Sequence, residues 1–191
     1  GWDIKEPLED SWFEKNKPET ALPKPTTFVM NMMIGDIVEA VFKAVLRESN
    51  VKFEDTDTVK LELDENHTIS GSYDLAINDA VDDIKSASDW SYKYKFDSYE
   101  SLHAGDSFGY VGQLAGYAKA AGKKAGGWWV LNKANGHFKY VPARIEMDYE
   151  LDRIRESIKK AEAEELVRCF EPEPETFRGK ETGNIVLNKN C

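Results

Sequence analysis

Two aspartates and a lysine stand near the middle of the chain: Asp74 just before Leu75-Ala76-Ile77, and Asp83 and Lys85 on either side of Ile84. Strand alternation would put Asp83 and Lys85 on one face and Ile84 on the other. Asn78-Asp79 is a turn signal, so residues 68–77 and 80–86 read as a β-hairpin that brings Asp74 beside Asp83. Two carboxylates and an ammonium gathered there suit a hard divalent cation. Mg²⁺ takes oxygen ligands at about 2.0–2.1 Å and typically uses one or two carboxylates with phosphate and water. Asp74 and Asp83 would be those carboxylates, and the backbone carbonyl of Ile84 would add a third oxygen. Lys85 would orient or help deprotonate an attacking water, or stabilise charge developing on phosphorus. An ordinary ion pair on a solvated sheet face would use the same three residues.

The neighbouring elements must position these groups. Ile34, Ile37, Val38, Val41, Phe42 and Val45 recur at helical spacing over residues 30–47, with Glu39 on the flank of the stripe and Gly35 one turn before it. Strands are expected over 58–63, 68–77 and 80–86 as a three-stranded meander. The run from Trp90 to Phe96 interleaves aromatic and basic residues in a loop. There Trp90, Lys93 and Lys95 would stack bases or meet phosphates, or pack as a connector with snorkelling lysines.

A second helix over 107–123 is built on small residues, and Gly109, Gly112 and Gly116 suggest that another backbone packs closely against it. Tyr110, Gln113 and Tyr117 share one of its faces. Lys119, Lys123 and Lys124 would extend a phosphate track or complement the helix dipole. A strand over 128–132, a turn at Asn135-Gly136, a strand over 138–145 and a charged helix over 149–167 follow. The expected class is α/β, a central sheet flanked by helices. It forms a single domain: an irregular arm over 1–29 anchored by Trp2, Trp12 and Phe13, a core over 30–167, and an extended tail over 168–191.

Composition bounds the alternatives. With 191 residues, 41% apolar content and five Trp, the chain can build one sizeable core. No apolar run approaches the roughly 20 residues of a membrane span. The polar start, Gly1-Trp2-Asp3-Ile4-Lys5, does not read as a signal peptide. Cys169 and Cys191 are too few for a disulfide framework or a four-thiolate metal site, which favours a reducing, cytoplasmic setting without secretion. The net charge of −10 argues against a general polyanion-binding surface, although a local basic track or a bound cation would offset it. Gly1 in place of an initiator Met leads us to expect trimming, and terminal Cys191 a natural chain that continues.

Four short motifs fall in order on an expected helix, strand, strand and helix: Gly35-Asp36-Ile37-Val38-Glu39, Gly71-Ser72-Tyr73-Asp74, Asp83-Ile84-Lys85-Ser86 and Gln113-Leu114-Ala115-Gly116-Tyr117. Over about residues 33–120 the chain resembles the PD-(D/E)xK nuclease superfamily, closest to its RecB-like branch with the lambda-type phage exonucleases. The resemblance implies a restriction-endonuclease-like core around a central mixed β-sheet. It implies that Asp74, Asp83 and the Ile84 carbonyl ligate Mg²⁺ or Mn²⁺, with Glu39 as an additional or water-mediated ligand and Lys85 as the catalytic lysine. Gln113 and Tyr117, together with Tyr110 and Ser86, would contact nucleic acid or brace the site. Many RecB-like members carry His where this chain has Glu39, which leans towards the exonuclease variants. Branches with an iron–sulfur cluster need four cysteines and residues 1–191 hold two, so no cluster is expected within this segment.

The implied function is metal-dependent exonucleolytic hydrolysis of DNA phosphodiester bonds, in phage or bacterial recombination, repair or degradation. DNA would be the partner, with no membrane, and with a homo-oligomer or a recombination protein as further company. A structure- or sequence-specific endonuclease on the same core is the alternative. A non-catalytic DNA-binding module is a third reading, against which the intact Asp74, Asp83 and Lys85 set argues.

Overall fold

The turn at Asn78 and Asp79 has both residues at positive φ, 51° and 63°. That geometry matches the twist of the strands it joins and fixes a tight hairpin. In this computed structural model, which describes residues 16–20, 23–164, 173–177 and 179–186, the turn links β3 (Leu75–Ile77) to β4 (Ala80–Ala87). β4 pairs in parallel with β5 (Lys124–Asn132), which pairs antiparallel with β6 (Phe138–Pro142). The resulting mixed sheet has the order β3-β4-β5-β6. Parallel neighbours need a long crossover. Here it carries one π-helical turn (Ser91–Lys95) and the α-helices α2 (Tyr99–Ala104) and α3 (Tyr110–Ala121); α1 (Thr26–Glu48) comes before the sheet and α4 (Met147–Ala161) after it.

Alternation along β4 and β5 gives each sheet face its own helix. Val111, Leu114 and Ala118 of α3 pack with Val81, Trp128, Val130 and Val141 on one face. On the other, Phe42 and Leu46 of α1 pack with Leu75, Ile84 and Trp129. α4 lies behind α3 and closes over β1 (Asp57–Glu62) and β2 (Thr68–Tyr73) through Leu151, Ile154, Ile158, Leu61 and Leu63. A mixed sheet flanked by helices is therefore present, as the hydrophobic periodicities imply.

Several local expectations are corrected. The strand over 68–77 is broken at Asp74: β2 pairs with β1 in a separate two-stranded sheet, and only β3 joins the main one. No three-stranded meander forms. The apolar stripe of α1 is mostly exposed at Ile34, Ile37, Val41 and Val45. The row that packs is Val38, Phe42 and Leu46, because the sheet edge beneath it, β3, is only three residues long. A Cβ on Gly35 would meet nothing within 4 Å, and one on Gly116 would make an ordinary 3.8 Å contact with Ile154, so neither glycine makes room for another backbone. The 90–96 loop is a π-turn, and it is followed by the unforeseen α2, capped by Ser98, whose side chain accepts the Ser101 N–H. The last charged helix ends at Ala161.

Within the expected extended tail, β7 (Glu173–Phe177) and β8 (Lys180–Val186) pair as an antiparallel hairpin. Trp2, Trp12, Phe13, Cys169 and Cys191 lie outside the described residues. Among the described residues no helix is long and apolar enough to cross a membrane.

His67, to which the sequence attached no role, ties the β1–β2 hairpin to the end of α4. Its Nδ1 lies 2.7 Å from Asp64 Oδ1 and its Nε2 2.8 Å from Glu162 Oε2. The hydrogen bond with Asp64, seconded by Glu162, holds the imidazole above its ordinary range. With the folded value above the unfolded one, the clamp contributes in full below pH 6.5 and is lost as pH rises through the folded value. NMR titration of the His67 ring should give a midpoint above 6.5 that falls in Asp64→Asn; a midpoint indifferent to that change would remove the clamp.

Candidate active site

β4 carries acids on both of its faces. Asp83 and Lys85 point towards α3, while Asp82, Ile84 and Ser86 belong to the α1 side. Extending the Leu75–Asp82 register by one pair sets Asp74 opposite Asp83. Asp74 stands at the bend between β2 and β3, where β4 has lost its backbone partner. Its Oδ2 accepts the Ile84 N–H at 2.6 Å, and its own carbonyl accepts from Thr56 Oγ1 at 3.1 Å. A strand residue's N–H and C=O project to the same side, so the Ile84 carbonyl also heads towards this open edge. Asp83 is buried: its Oδ1 accepts from Lys85 Nζ at 2.9 Å. Its Oδ2 lies 2.7 Å from the same nitrogen without an aligned N–H, and it accepts no hydrogen bond among the described residues.

The electrostatics follow from burial. Burial, then the neighbouring Asp83 charge, pushes Asp74 up to about 7, against the pull of the Ile84 N–H and Lys85. Asp83 is also raised by burial, with Lys85 opposing. Burial draws Lys85 down, but Asp83 and Asp74 outweigh it and hold the ammonium above its ordinary value. The site thus combines two carboxylates that resist ionisation with a lysine that resists deprotonation.

Glu39 reaches this region from α1, close enough for its charge to raise both Asp74 and Asp83. Its side chain is held by the buried Lys43, which also contacts Asp55 and Thr56. Lys43 was not foreseen: at 5% exposure it is a second cation beside the site.

From α3, Gln113 Nε2 donates to Tyr117 Oη at 3.1 Å. The Tyr117 ring fills the space over Gly71, where an added Cβ would lie 2.6 Å from Cε1. Gly71 therefore serves to admit this ring. These residues line a narrow cleft between the β1–β2 hairpin and α3, with Val59, Ile69 and Gly112. Gly71→Ala is expected to destabilise the fold by about 1–3 kcal/mol through this overlap, and by less in a Tyr117→Ala background. Denaturant melts of the double-mutant cycle test this, and strict additivity would remove the contact.

Of the remaining expected residues, Tyr110 sits under Lys85, whose Nζ is 4.8 Å from the ring centroid. Lys95 stands over the same ring at 4.7 Å. Trp90 is exposed and lies against Tyr94, with centroids 5.6 Å apart. Lys93 is paired with Asp89 at 2.7 Å. Ser86 is not brought to the carboxylate face. Lys123 is tied to Glu54 at 2.8 Å rather than open to a phosphate track.

Comparison with known proteins adds the fold. No protein-family model and no curated protein matches the chain. The crystal structure of SSO0001 is similar with a TM-score of 0.56 and 16% identity, covering 82% of this chain and 71% of that one. The likeness speaks for the fold alone.

Among the described residues, no group of three or more His, Cys, Asp and Glu side chains gathers tightly enough to enclose a metal ion. A hard divalent cation does not require one, because Mg²⁺ commonly takes one or two carboxylates and completes its shell with water and phosphate oxygens. The donor set fits that demand: two carboxylates on facing strand positions, both disfavoured as free anions, and a carbonyl on the same edge.

The sequence missed Asp82, the acid of the opposite face. Its carboxylate accepts from Tyr140 Oη at 2.9 Å and Trp129 Nε1 at 3.1 Å, and Gly126 leaves the room it occupies. Both oxygens are satisfied there, so Asp82 braces β4 against β5 and β6. The only signal for it is the doubled Asp82-Asp83.

Proposed function

We propose that the chain is a metal-dependent DNA exonuclease of the PD-(D/E)xK type with a restriction-endonuclease-like core. The observation that carries this reading is the cross-strand pair of Asp74 and Asp83, raised by burial and repulsion and flanked by Lys85, whose ammonium they hold above its ordinary value. Asp74, Asp83 and the Ile84 carbonyl would hold Mg²⁺ or Mn²⁺, with Glu39 reached through water. Bound there, the ion would activate water and offset charge on the scissile phosphate.

Lys85 donates hydrogen bonds and does not transfer a proton: its ammonium orients the attacking water or meets a non-bridging phosphate oxygen. The water oxygen bonds to phosphorus, the ester P–O bond breaks, and the departing oxygen takes up a proton. Gln113 and Tyr117 brace the site from α3. The proton leaving the water goes to solvent or to a phosphate oxygen, since Lys85 is held charged.

Digestion of linear DNA in Mg²⁺, Mn²⁺ or EDTA tests the reading, with Asp83→Ala and Lys85→Ala beside the wild type. Activity is expected to vanish in EDTA and in Asp83→Ala, and to fall by roughly 10²–10³ in Lys85→Ala. EDTA-resistant degradation would refute the metal mechanism, and cleavage of covalently closed circular DNA would replace the exonuclease with an endonuclease.

A further inference from the structure

Phe108 is a large apolar side chain left 56% exposed beside the site, in the loop between α2 and α3. It is not isolated. Its ring is near-parallel to that of Tyr110, at 5.6 Å and 13°, and Tyr110 is near-parallel to the buried Phe96 at 5.9 Å and 26°. Three aromatic rings thus step from the core to the surface. Lys95 Nζ stands 4.5 Å from the Phe108 centroid as well as over Tyr110, and Lys85 lies over Tyr110. A single ring separates Phe108 from the lysine of the site.

The loop that presents Phe108 is fixed. Gly109, at φ 71°, turns the chain into α3 directly behind it. The Asp106 carboxylate accepts the N–H groups of Tyr110 and Val111 at 2.9 and 2.8 Å. That contact also fills the start of α3 with a carboxylate, so the helix end is closed to a phosphate. Anion contact on this side falls to Lys95 and Lys85.

We propose that Phe108 is a stacking platform for an unpaired nucleobase next to the scissile phosphate, with Lys95 beside it for the backbone, so that the substrate is a single strand or a frayed end. This deepens the nuclease reading and rests on it. Aromatic rings stack any base at about 1–3 kcal/mol. An interior duplex base is covered on both faces by its neighbours and has no face to offer. A chain of net charge −10 is also poorly suited to gripping a long duplex through its phosphates, whereas stacking needs no counter-charge.

The test measures anisotropy of a fluorescein-labelled oligothymidylate, and of an abasic strand of equal length, in Ca²⁺. Phe108→Ala should weaken oligothymidylate binding roughly 5- to 150-fold, the ratio equivalent to 1–3 kcal/mol, and leave abasic binding unchanged. Phe108→Trp should bind at least as well as wild type, and Phe108→Leu, which keeps apolar bulk without a ring, should behave like Phe108→Ala. Wild-type binding by Phe108→Ala, or an equal loss on the abasic strand, would overturn the platform. Hydrolysis of the same strand in Mg²⁺ is read separately. Hydrolysis with no Phe108 effect on binding removes the platform and leaves the nuclease, while a Phe108 effect without hydrolysis supports the platform and removes the nuclease.

Discussion

Asp74→Asn is expected to abolish DNA hydrolysis and at the same time to raise the melting temperature above neutral pH. Asp74 has a folded-state value of about 7 against 3.8 for an ordinary aspartate. The folded chain therefore holds a proton that the unfolded chain has released, and stability falls as pH rises from 3.8 to about 7. Above that window the full penalty of an ionised Asp74 facing Asp83 is present. Asparagine accepts the Ile84 N–H without the charge. In metal-free buffer at pH 8 the variant should melt several degrees higher, at roughly 2–4 °C for each kcal/mol relieved, and the gap should close as pH falls towards 4. Activity should drop by more than about 100-fold, the most that losing an outer-shell partner of a metal ligand costs. Equal melting at pH 8 would mean that neither burial nor the Asp83 charge penalises an ionised Asp74 in the folded chain.

The second large effect is expected at Lys85. Its contacts with Asp83 at 2.7 and 2.9 Å keep it charged well past neutrality. Lys85→Ala should lower kcat by roughly 10²–10³, the range for loss of one preorganised donor to developing charge. The wild-type rate should show no falling limb from this lysine below about pH 10. Such a limb, absent in Lys85→Ala, would restore Lys85 as a proton-transfer group. The variant also leaves Asp83 buried without its cation. Breaking a buried pair from one side costs about 3–5 kcal/mol, so stability and rate must be measured on the same preparation. Lys85→Arg is not expected to rescue, because a planar fork does not replace a compact ammonium packed over Tyr110.

The placement of Asp83 and Lys85 on one face was legible because strand side chains alternate, and Asp74 could be set opposite Asp83 because a two-residue turn admits one register. The bend at Asp74 was not legible. No Gly or Pro marks it, and its cause is a side chain replacing a strand's backbone partner. Long-range partners were hidden for a similar reason: Asp82 meets Trp129 and Tyr140 at separations of 47 and 58 residues, and His67 meets Glu162 across 95. The packing row of α1 escaped because helical periodicity marks an apolar stripe without saying how narrow a surface it meets. Lys43 escaped because a lysine on such a stripe reads as snorkelling until acids from elsewhere surround it.

The bend has one more consequence. The chain leaves one sheet at Tyr73 and enters another at Leu75, so Asp74 is the covalent seam between them, and a backbone bridge from Glu54 to Ala76 ties the approach to β1 to the same edge. Its carbonyl is held by Thr56, just ahead of β1, and its carboxylate by β4. The hairpin cannot swing against the main sheet without turning this residue. A swing that opened the cleft under Tyr117 would therefore also turn the Asp74 carboxylate away from its place opposite Asp83 in the candidate site.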